Sequence, residues 1–323
     1  MKILVAGGAG YIGSVCTEYL LDRGHEVVVF DALINGHRAA VDPRAVFVEG
    51  NLADAAAIGR AMAEHRPEGV IHFAAFIEVG ESMRDPGKYL RNNVANGLNL
   101  LDACVAQKVR KVVFSSTAAV YGMPEQVPIP ESESTKPINA YGESKLMFER
   151  VLHWYREIFG LNFVALRYFN AAGASKRFGE DHNPESHLIP LVMQAAEGRR
   201  ASIKVFGTDY DTPDGTCIRD YVHVLDLAQA HLLALESGVT GAFNLGSGNG
   251  HSVREVIDAV RAVTGREFKV EEVERRPGDP ARLVSDSAAA RKVLGWRPQF
   301  DDIRETMRSA WAWRQAHPDG YGA

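Results

Sequence analysis

Cysteine is scarce in this chain: Cys16, Cys104 and Cys217 are the only three in 323 residues, an odd number with no metal-ligand spacing. That count excludes a disulfide framework and a cysteine-based zinc module, and it points to buried thiols in a reducing compartment. Long hydrophobic runs are also missing, since no apolar stretch approaches the ~18 residues of a membrane-spanning helix. The chain reaches Gly7 and Gly8 too early for a secretory signal. Positive charge is in deficit, with 36 Lys and Arg against 41 Asp and Glu and a net charge of −5. No Lys/Arg block interrupts it, which argues against nucleic acid as a partner. Internal repeats and low-complexity segments are absent as well. The expectation is a soluble cytoplasmic protein with no membrane partner and no metal, long enough for a large α/β domain and a smaller one.

What is present begins with glycine. Lys2-Ile3-Leu4-Val5-Ala6 is a short apolar run, followed at once by Gly7-Gly8-Ala9-Gly10-Tyr11-Ile12-Gly13 and a helical pattern from Tyr11 to Asp22 closed by Gly24. Strand, glycine turn and helix in that order form the context of a dinucleotide fingerprint. In it Gly7 permits the tight turn, Gly10 a close approach to pyrophosphate, and Gly13 close helix–strand packing, while the helix N-terminus offers N–H groups to the anion. A second strand, Glu26 to Phe30, runs into Asp31, whose carboxylate can bond the adenosine ribose hydroxyls. At about 4 Å and an effective dielectric near 20, a unit charge pair is worth roughly 4 kcal/mol, so Asp31 would repel a 2′-phosphate and favour NAD over NADP.

Tyr141 and Lys145 stand four residues apart on one face of a predicted helix, Tyr141 to Phe159. A lysine so placed is expected to lower the phenol's pKa from about 10 toward working pH. Such a tyrosine can take a proton from an alcohol while a nicotinamide takes the hydride.

Further apolar strands fall at 45–48, 69–74, 111–116 and 162–167, with helical patterns between them, including Pro86 to Gln107. That alternation predicts a Rossmann-type doubly wound parallel sheet, α/β in class, with ligands beyond the strands' carboxyl ends. Those ends carry Gly7, Asp31, Ala74, Ser116-Thr117 and Tyr168-Phe169-Asn170. After Ala172 the texture changes: 174–186 and 207–218 are loop-like, and Ser252 to Thr264 reads as a helix capped by Ser252 with Glu255 at N3. The last helix is expected at about Asp301 to Arg314. Residues 1–172 are expected to form the dinucleotide-binding domain, with 220–245 returning to it as strand and helix. The stretches 173–219 and 246–323 are expected to make a smaller interleaved α/β domain.

These segments resemble the UDP-glucose 4-epimerase family of extended short-chain dehydrogenases/reductases over nearly the whole chain. The matching motifs are Gly7–Gly13, Val70-Ile71-His72-Phe73-Ala74, Phe114 to Gly122, Tyr141-Gly142-Glu143-Ser144-Lys145, Leu166 to Asn170, Arg219 to Val224 and Arg275-Arg276-Pro277-Gly278-Asp279. The resemblance implies a commonly homodimeric enzyme that holds NAD tightly and interconverts UDP-galactose and UDP-glucose through a 4-keto intermediate. It implies that Tyr141 is the general base and acid, that Thr117 bonds the sugar O4, and that Lys145 binds the nicotinamide ribose. It also implies that Gly7, Gly10, Tyr11, Ile12, Gly13, Asp31, Asn35, Asn51, Leu52, Phe73, Ala74, Asn92, Lys145 and Tyr168 contact the cofactor. Asn170, His187, Leu188, Phe206, Arg219, Arg276, Asp279 and Leu283 are implied to hold the UDP-sugar, with Phe206 flanking uracil and Leu283 bordering the C2 substituent.

The chain departs from the family pattern in three places. Asn51-Leu52 replaces an Asp-Ile near the adenine, Ile77 replaces a lysine, and His187 replaces an asparagine. Related dehydratases and decarboxylases need acids just after the active-site threonine, where this chain has Ala118 and Ala119. The alternatives left open are a UDP-pentose version acting on UDP-xylose and UDP-arabinose and, more distantly, a non-catalytic NAD(P) sensor. Structural ion pairing of Arg219 with Asp220 and of Arg276 with Asp279 is the competing reading of those charges.

Overall fold

The computed structural model describes residues 1–276 and 278–322; Pro277 of the Arg275–Asp279 motif and Ala323, the last residue of the 246–323 stretch, lie outside the described residues. The first half runs β1 (Lys2–Ala6), α1 (Tyr11–Leu21), β2 (Glu26–Asp31), β3 (Val46–Glu49), α2 (Ala55–His65) and β4 (Gly69–His72). It continues through α3 (Val79–Ser82), α4 (Pro86–Leu90), α5 (Asn96–Ala106), β5 (Lys111–Thr117), α6 (Ala140–Phe159), β6 (Asn162–Tyr168) and β7 (Asn170–Ala172). The second half holds α7 (Leu188–Ala196), β8 (Ile203–Phe206), β9 (Ile218–Arg219), β10 (Tyr221–His223), α8 (Val224–Glu236) and β11 (Gly241–Leu245). It closes with β12 (His251–Ser252), α9 (Val253–Thr264), β13 (Val270–Val273), β14 (Arg282–Leu283) and α10 (Ile303–Ala316).

Seven strands form one sheet in the order β11-β6-β5-β4-β1-β2-β3, every neighbouring pair parallel. The reason lies in the strands' own alternation. Ile3, Val5, Val27, Val29, Ile71, Val113 and Val164 pack to one side with Cys16 and Leu20 of α1 and Leu227 and Leu235 of α8. Leu4, Val28, Phe30, Val70, Val112, Phe114 and Ala165 pack to the other with Ile58, Met62, Leu100, Phe148 and Leu152. A strand apolar on both faces must be covered on both, which a parallel α/β sheet achieves. Strand order reverses direction between β1 and β4, so the crevice for ligands opens beyond their carboxyl ends.

The helical pattern from Pro86 to Gln107 is realised as α4 and α5 joined by a widened turn at Arg91–Ala95. Such turns are frequent at functional sites. This one brings Asn93 to the backbone N–H and carbonyl of Phe76 (2.8 and 3.0 Å) and to Ser144 Oγ (3.0 Å).

Beyond β7 the sheets are small. β10 pairs with β7 rather than with the central sheet, so of the strand and helix expected to return at 220–236 only the helix does, α8 packing on the sheet's face, while β11 joins the sheet as a strand. β8 pairs with β13, and β9 lies between β12 and β14. A separate core of Ile189, Val192, Met193, Val205, Val256, Ile257, Val260 and Met307 binds α7, α9 and α10 around them. Helix α9 carries the full capping box, Ser252 Oγ accepting from Glu255 N and the Glu255 carboxylate from Ser252 N. All three cysteines are free and buried. No helix among the described residues is long and apolar enough to cross a membrane.

Candidate active site

The glycine turn is sterically defined. Gly7 has φ +84°, and a Cβ there would lie 2.5 Å from Ala74 N; a Cβ on Gly13 would lie 2.1 Å from Gly7 O. Gly10 differs, because a Cβ on it meets nothing closer than Gly7 O at 3.5 Å. Protein packing therefore does not require glycine at position 10, whereas a ligand drawn up to the backbone does. Gly10 is the N-cap of α1 and carries no side-chain cap, which leaves the first N–H groups of the helix to an anion. These features fit a dinucleotide pyrophosphate. Beside them Asp31 accepts from Ala9 N (2.9 Å) and Leu33 N (2.8 Å), so its carboxylate is held at the turn. Burial pushes its pKa up and those N–H bonds oppose the shift. Arg38 is turned to the Phe47 ring, 4.5 Å from its centroid.

The other positions of the cofactor set spread around the crevice. Asn35 is exposed in the loop after Asp31, and Phe73 and Ala74 follow β4 directly. Asn51 folds onto Ala53 N (2.8 Å), while Leu52 is buried with its carbonyl held by Asn99 (2.7 Å). Asn92 donates to Asn93 Oδ1 at 3.0 Å. Tyr11 donates its hydroxyl to Gly173 O at 2.6 Å, fastening the glycine turn to the start of the second half.

Strand β5 ends at Thr117, level with Tyr168 of β6. Helix α6, started by Asn139 accepting from Gly142 N, lays Tyr141, Lys145 and Glu149 along one face. Lys145 Nζ donates to Ser115 O at 2.9 Å and lies 5.9 Å from the Tyr141 ring centroid. Burial draws the Lys145 pKa down to about 7, with Glu149 opposing. For Tyr141 burial pushes the phenol up, and a hydrogen bond with Thr117 opposes that. The expected depression of Tyr141 by Lys145 is thus reversed in direction. The ammonium is turned to a carbonyl and its own charge is weakened by burial, and Thr117 is the group that favours the phenolate. Tyr168 bonds Ser115 through their hydroxyls, and burial raises its pKa.

The spacing of Tyr141 and Lys145 did not reveal what stands behind them. Glu149 accepts from Ser116 Oγ (2.5 Å) and from Arg167 Nε (3.0 Å), and its side chain and that of Arg167 are only 8% and 9% exposed. Arg167 also donates to Tyr121 OH (3.0 Å), which donates to Asn244 Oδ1 (2.7 Å). The local signal for Glu149 was its place four residues beyond Lys145.

On the opposite wall Asn170 donates both its backbone N–H (3.1 Å) and its Nδ2 (2.9 Å) to Asp220 O. Arg219 pairs with Asp279 rather than Asp220. The fully buried Asp220 carboxylate accepts instead from Ser247 N and Oγ (both 2.7 Å), Gly248 N (3.1 Å), Ser285 N (3.0 Å) and Ser285 Oγ (2.7 Å). Arg276 lies over the Phe206 ring, 3.9 Å from its centroid, and not against Asp279. The ion pairs of the competing reading, Arg219–Asp220 and Arg276–Asp279, are not formed, and these contacts stand in their place. Leu283 packs on the cluster of Val120, Tyr121, Ile129 and Leu146, beside the end of β5. Leu188 opens α7, and His187 before it turns Nδ1 to Glu180 (2.9 Å) and Glu185 (3.0 Å).

The sequence pattern of the NAD dependent epimerase/dehydratase family matches residues 3–246. A UDP-glucose 4-epimerase of Lacticaseibacillus casei is 49% identical over 328 residues, covering 100% of this chain and 99% of that one. The crystal structure of the UDP-glucose 4-epimerase from Brucella ovis in complex with NAD matches with a TM-score of 0.94 at 47% identity, covering 96% of this chain and 97% of that one. That of the Bifidobacterium longum enzyme in complex with NAD+ and UDP matches with a TM-score of 0.93 at 37% identity, covering 99% of this chain and 100% of that one.

Proposed function

The chain belongs to the NAD dependent epimerase/dehydratase family, and from that premise we propose that it interconverts UDP-galactose and UDP-glucose by inverting C4 of the sugar. NAD is its cofactor, as it is in the relative crystallised with it. The single observation that carries the reading is that α6 sets Tyr141 and Lys145 on one face against the end of β5, where Lys145 Nζ donates to Ser115 O at 2.9 Å two residues before Thr117. Held by the glycine turn, Asp31 and Lys145, NAD would supply the acceptor for the C4 hydride and its donor to the other face of the sugar. Tyr141 takes the O4 proton and gives it back, Thr117 holds O4 and favours the phenolate, and Lys145 orients the nicotinamide ribose. Arg219 and Arg276 hold the diphosphate, with Asp279 keeping Arg219 in place, and Phe206 flanks the uracil. Binding through the UDP end leaves the sugar free to turn between the two hydride transfers. On this reading residues 1–172 with 220–245 serve the cofactor and 173–219 with 246–323 the UDP-sugar.

The test uses purified protein with no added NAD, incubated with UDP-galactose, UDP-glucose, UDP-xylose or UDP-arabinose, and separation of the epimers. Equilibration of the hexose pair, with NAD and no NADP released on denaturation, is expected. Failure to equilibrate it, or turnover of the pentoses alone, overturns the reading.

Sugar size is set at Leu283. Leucine crowds an acetamido group at C2 more than serine does, and a poor steric fit costs about 1–3 kcal/mol, or roughly 10- to 200-fold in kcat/KM. UDP-N-acetylgalactosamine is therefore turned over weakly by the wild type and at least ~10-fold better by Leu283→Ser. Equal kcat/KM for acetylated and plain sugars in the wild type would remove Leu283 as the gate.

The protein works as a homodimer through the outer face of α6, where Trp154 (62% exposed), Ile158 (65%) and Phe159 (56%) form an apolar patch. Sedimentation should find a dimer for the wild type and a monomer for Trp154→Glu; a monomeric wild type at micromolar concentration speaks against it. Three free, buried cysteines suit the cytoplasm.

A further inference from the structure

Four potential metal ligands, from one short segment, converge outside the hydride-transfer centre. Glu180, His182, Glu185 and His187 each present a donor atom within 4.8 Å of the others. His182 Nδ1 lies 3.1 Å from Glu180 Oε1 and 3.9 Å from Glu185 Oε2, and His187 Nδ1 lies 2.9 Å from Glu180 Oε1 and 3.0 Å from Glu185 Oε1. A tetrahedral ion with bonds of about 2.0–2.1 Å sets its ligand atoms roughly 3.3–3.4 Å apart, inside that spread.

Charge points the same way. The Glu180 and Glu185 side chains are only 10% and 6% exposed, and among the described residues every ion-pair partner they have is a histidine. Two carboxylates withdrawn from water need two positive charges to balance them. Two imidazolium rings would supply these by aiming both Nδ1–H groups at one oxygen, Glu180 Oε1, with ring centroids 5.2 Å apart. One divalent cation supplies both charges and leaves the rings neutral, each lending the Nδ1 lone pair. The Glu185 carboxylate is already oriented for this, since its Oε1 accepts from Ser186 N and His187 N, both at 2.8 Å.

We propose that Glu180, His182, Glu185 and His187 bind one divalent cation of the zinc class, where the sequence alone suggested no metal. Two imidazoles with two carboxylates suit zinc-like ions, whereas calcium takes six to eight oxygens and magnesium a near-octahedral oxygen shell. With four protein ligands the tetrahedron is closed, so the ion has no position for a reacting water and braces the chain instead. The His182 ring meets Tyr11 of the glycine turn edge-on at 6.2 Å, Asp181 O contacts His37 Nε2 at 2.9 Å, and α7 starts at Leu188. The cation therefore ties the loop before α7 where it crosses the cofactor half.

The experiment measures metal content, so it stands or falls independently of epimerase activity. Untagged protein is stripped with a chelator, reloaded with zinc chloride alone, desalted and analysed for metal. About one equivalent per chain is expected in the wild type and essentially none in His182→Ala or in the near-isosteric Glu180→Gln, with metal-free melting checking that each variant folds. Cobalt(II) added to the stripped wild type should give d–d bands of tetrahedral intensity. No retained zinc in the wild type, equal retention in a folded variant, an octahedral cobalt spectrum, or a thiolate-to-cobalt band placing the ion on a cysteine would each overturn the assignment.

Discussion

Tyr141→Phe lowers kcat for UDP-galactose epimerisation by about 10²- to 10⁴-fold, the range for a lost general acid–base group, while the protein still folds and holds NAD. The substitution removes one oxygen from a half-buried ring and no side-chain packing, so it costs at most about 1 kcal/mol of stability. Thermal melting and extraction of the bound dinucleotide therefore serve as controls beside the rate. Because burial raises the phenol and the Thr117 bond opposes that rise, Thr117→Val moves the phenol further up. A base must be deprotonated to act, so the ascending limb of the pH–kcat profile shifts to higher pH in that variant. Near-wild-type turnover by Tyr141→Phe would remove the tyrosine from the mechanism.

Arg167→Met destabilises the protein by about 3–5 kcal/mol, the usual result of removing one partner of a buried ion pair. The cost is Glu149: its carboxylate, 8% exposed, keeps only the Ser116 hydroxyl and the more distant Lys145 as compensation. Replacing Glu149 by Gln in the same chain discharges the orphan and should restore much of the loss. Urea midpoints at fixed NAD concentration check both, since bound cofactor adds stability by mass action. If the double variant is no more stable than Arg167→Met, the damage lies in packing around Tyr121 and not in the uncompensated charge. Glu149 also opposes the fall in the Lys145 pKa, so the double variant carries a lysine discharged at lower pH than the wild type's.

Much of this site was legible because its parts are local. Gly7, Gly10 and Gly13 sit in one turn, and Tyr141 and Lys145 share a helix face whatever the rest of the chain does. The doubly apolar strands dictate a sheet covered on both sides, and β5 and β6 extend only one residue beyond their expected ends. The illegible parts depend on separation in sequence. Glu149 finds Arg167 across a strand, Arg219 finds Asp279 sixty positions away, and Asp220 is claimed by Ser247, Gly248 and Ser285 and not by its neighbour. The sign of the Tyr141 shift was hidden for the same reason. Spacing tells which groups face each other, whereas desolvation is set by everything packed around them. The Glu180–His187 cluster is the exception: its residues are adjacent, but in a segment rich in loop formers they carried no periodicity to be read against.

The Asp220 carboxylate has a bearing on the order in which the protein is made. Six of the seven strands of the large sheet lie before residue 169, so most of that sheet can assemble while the chain is still being synthesised. The turn at Ser247–Gly248 and the strand ending at Leu283 are locked to β9 and β10 by one buried side chain whose last donor is Ser285. That lock closes loops of up to 65 positions and cannot be completed until nearly the whole chain has left the ribosome. A nascent chain thus acquires the glycine turn and the Tyr141 helix well before the wall that carries Arg219 and Leu283, and for that interval it is a dinucleotide fold with half of its crevice unbuilt.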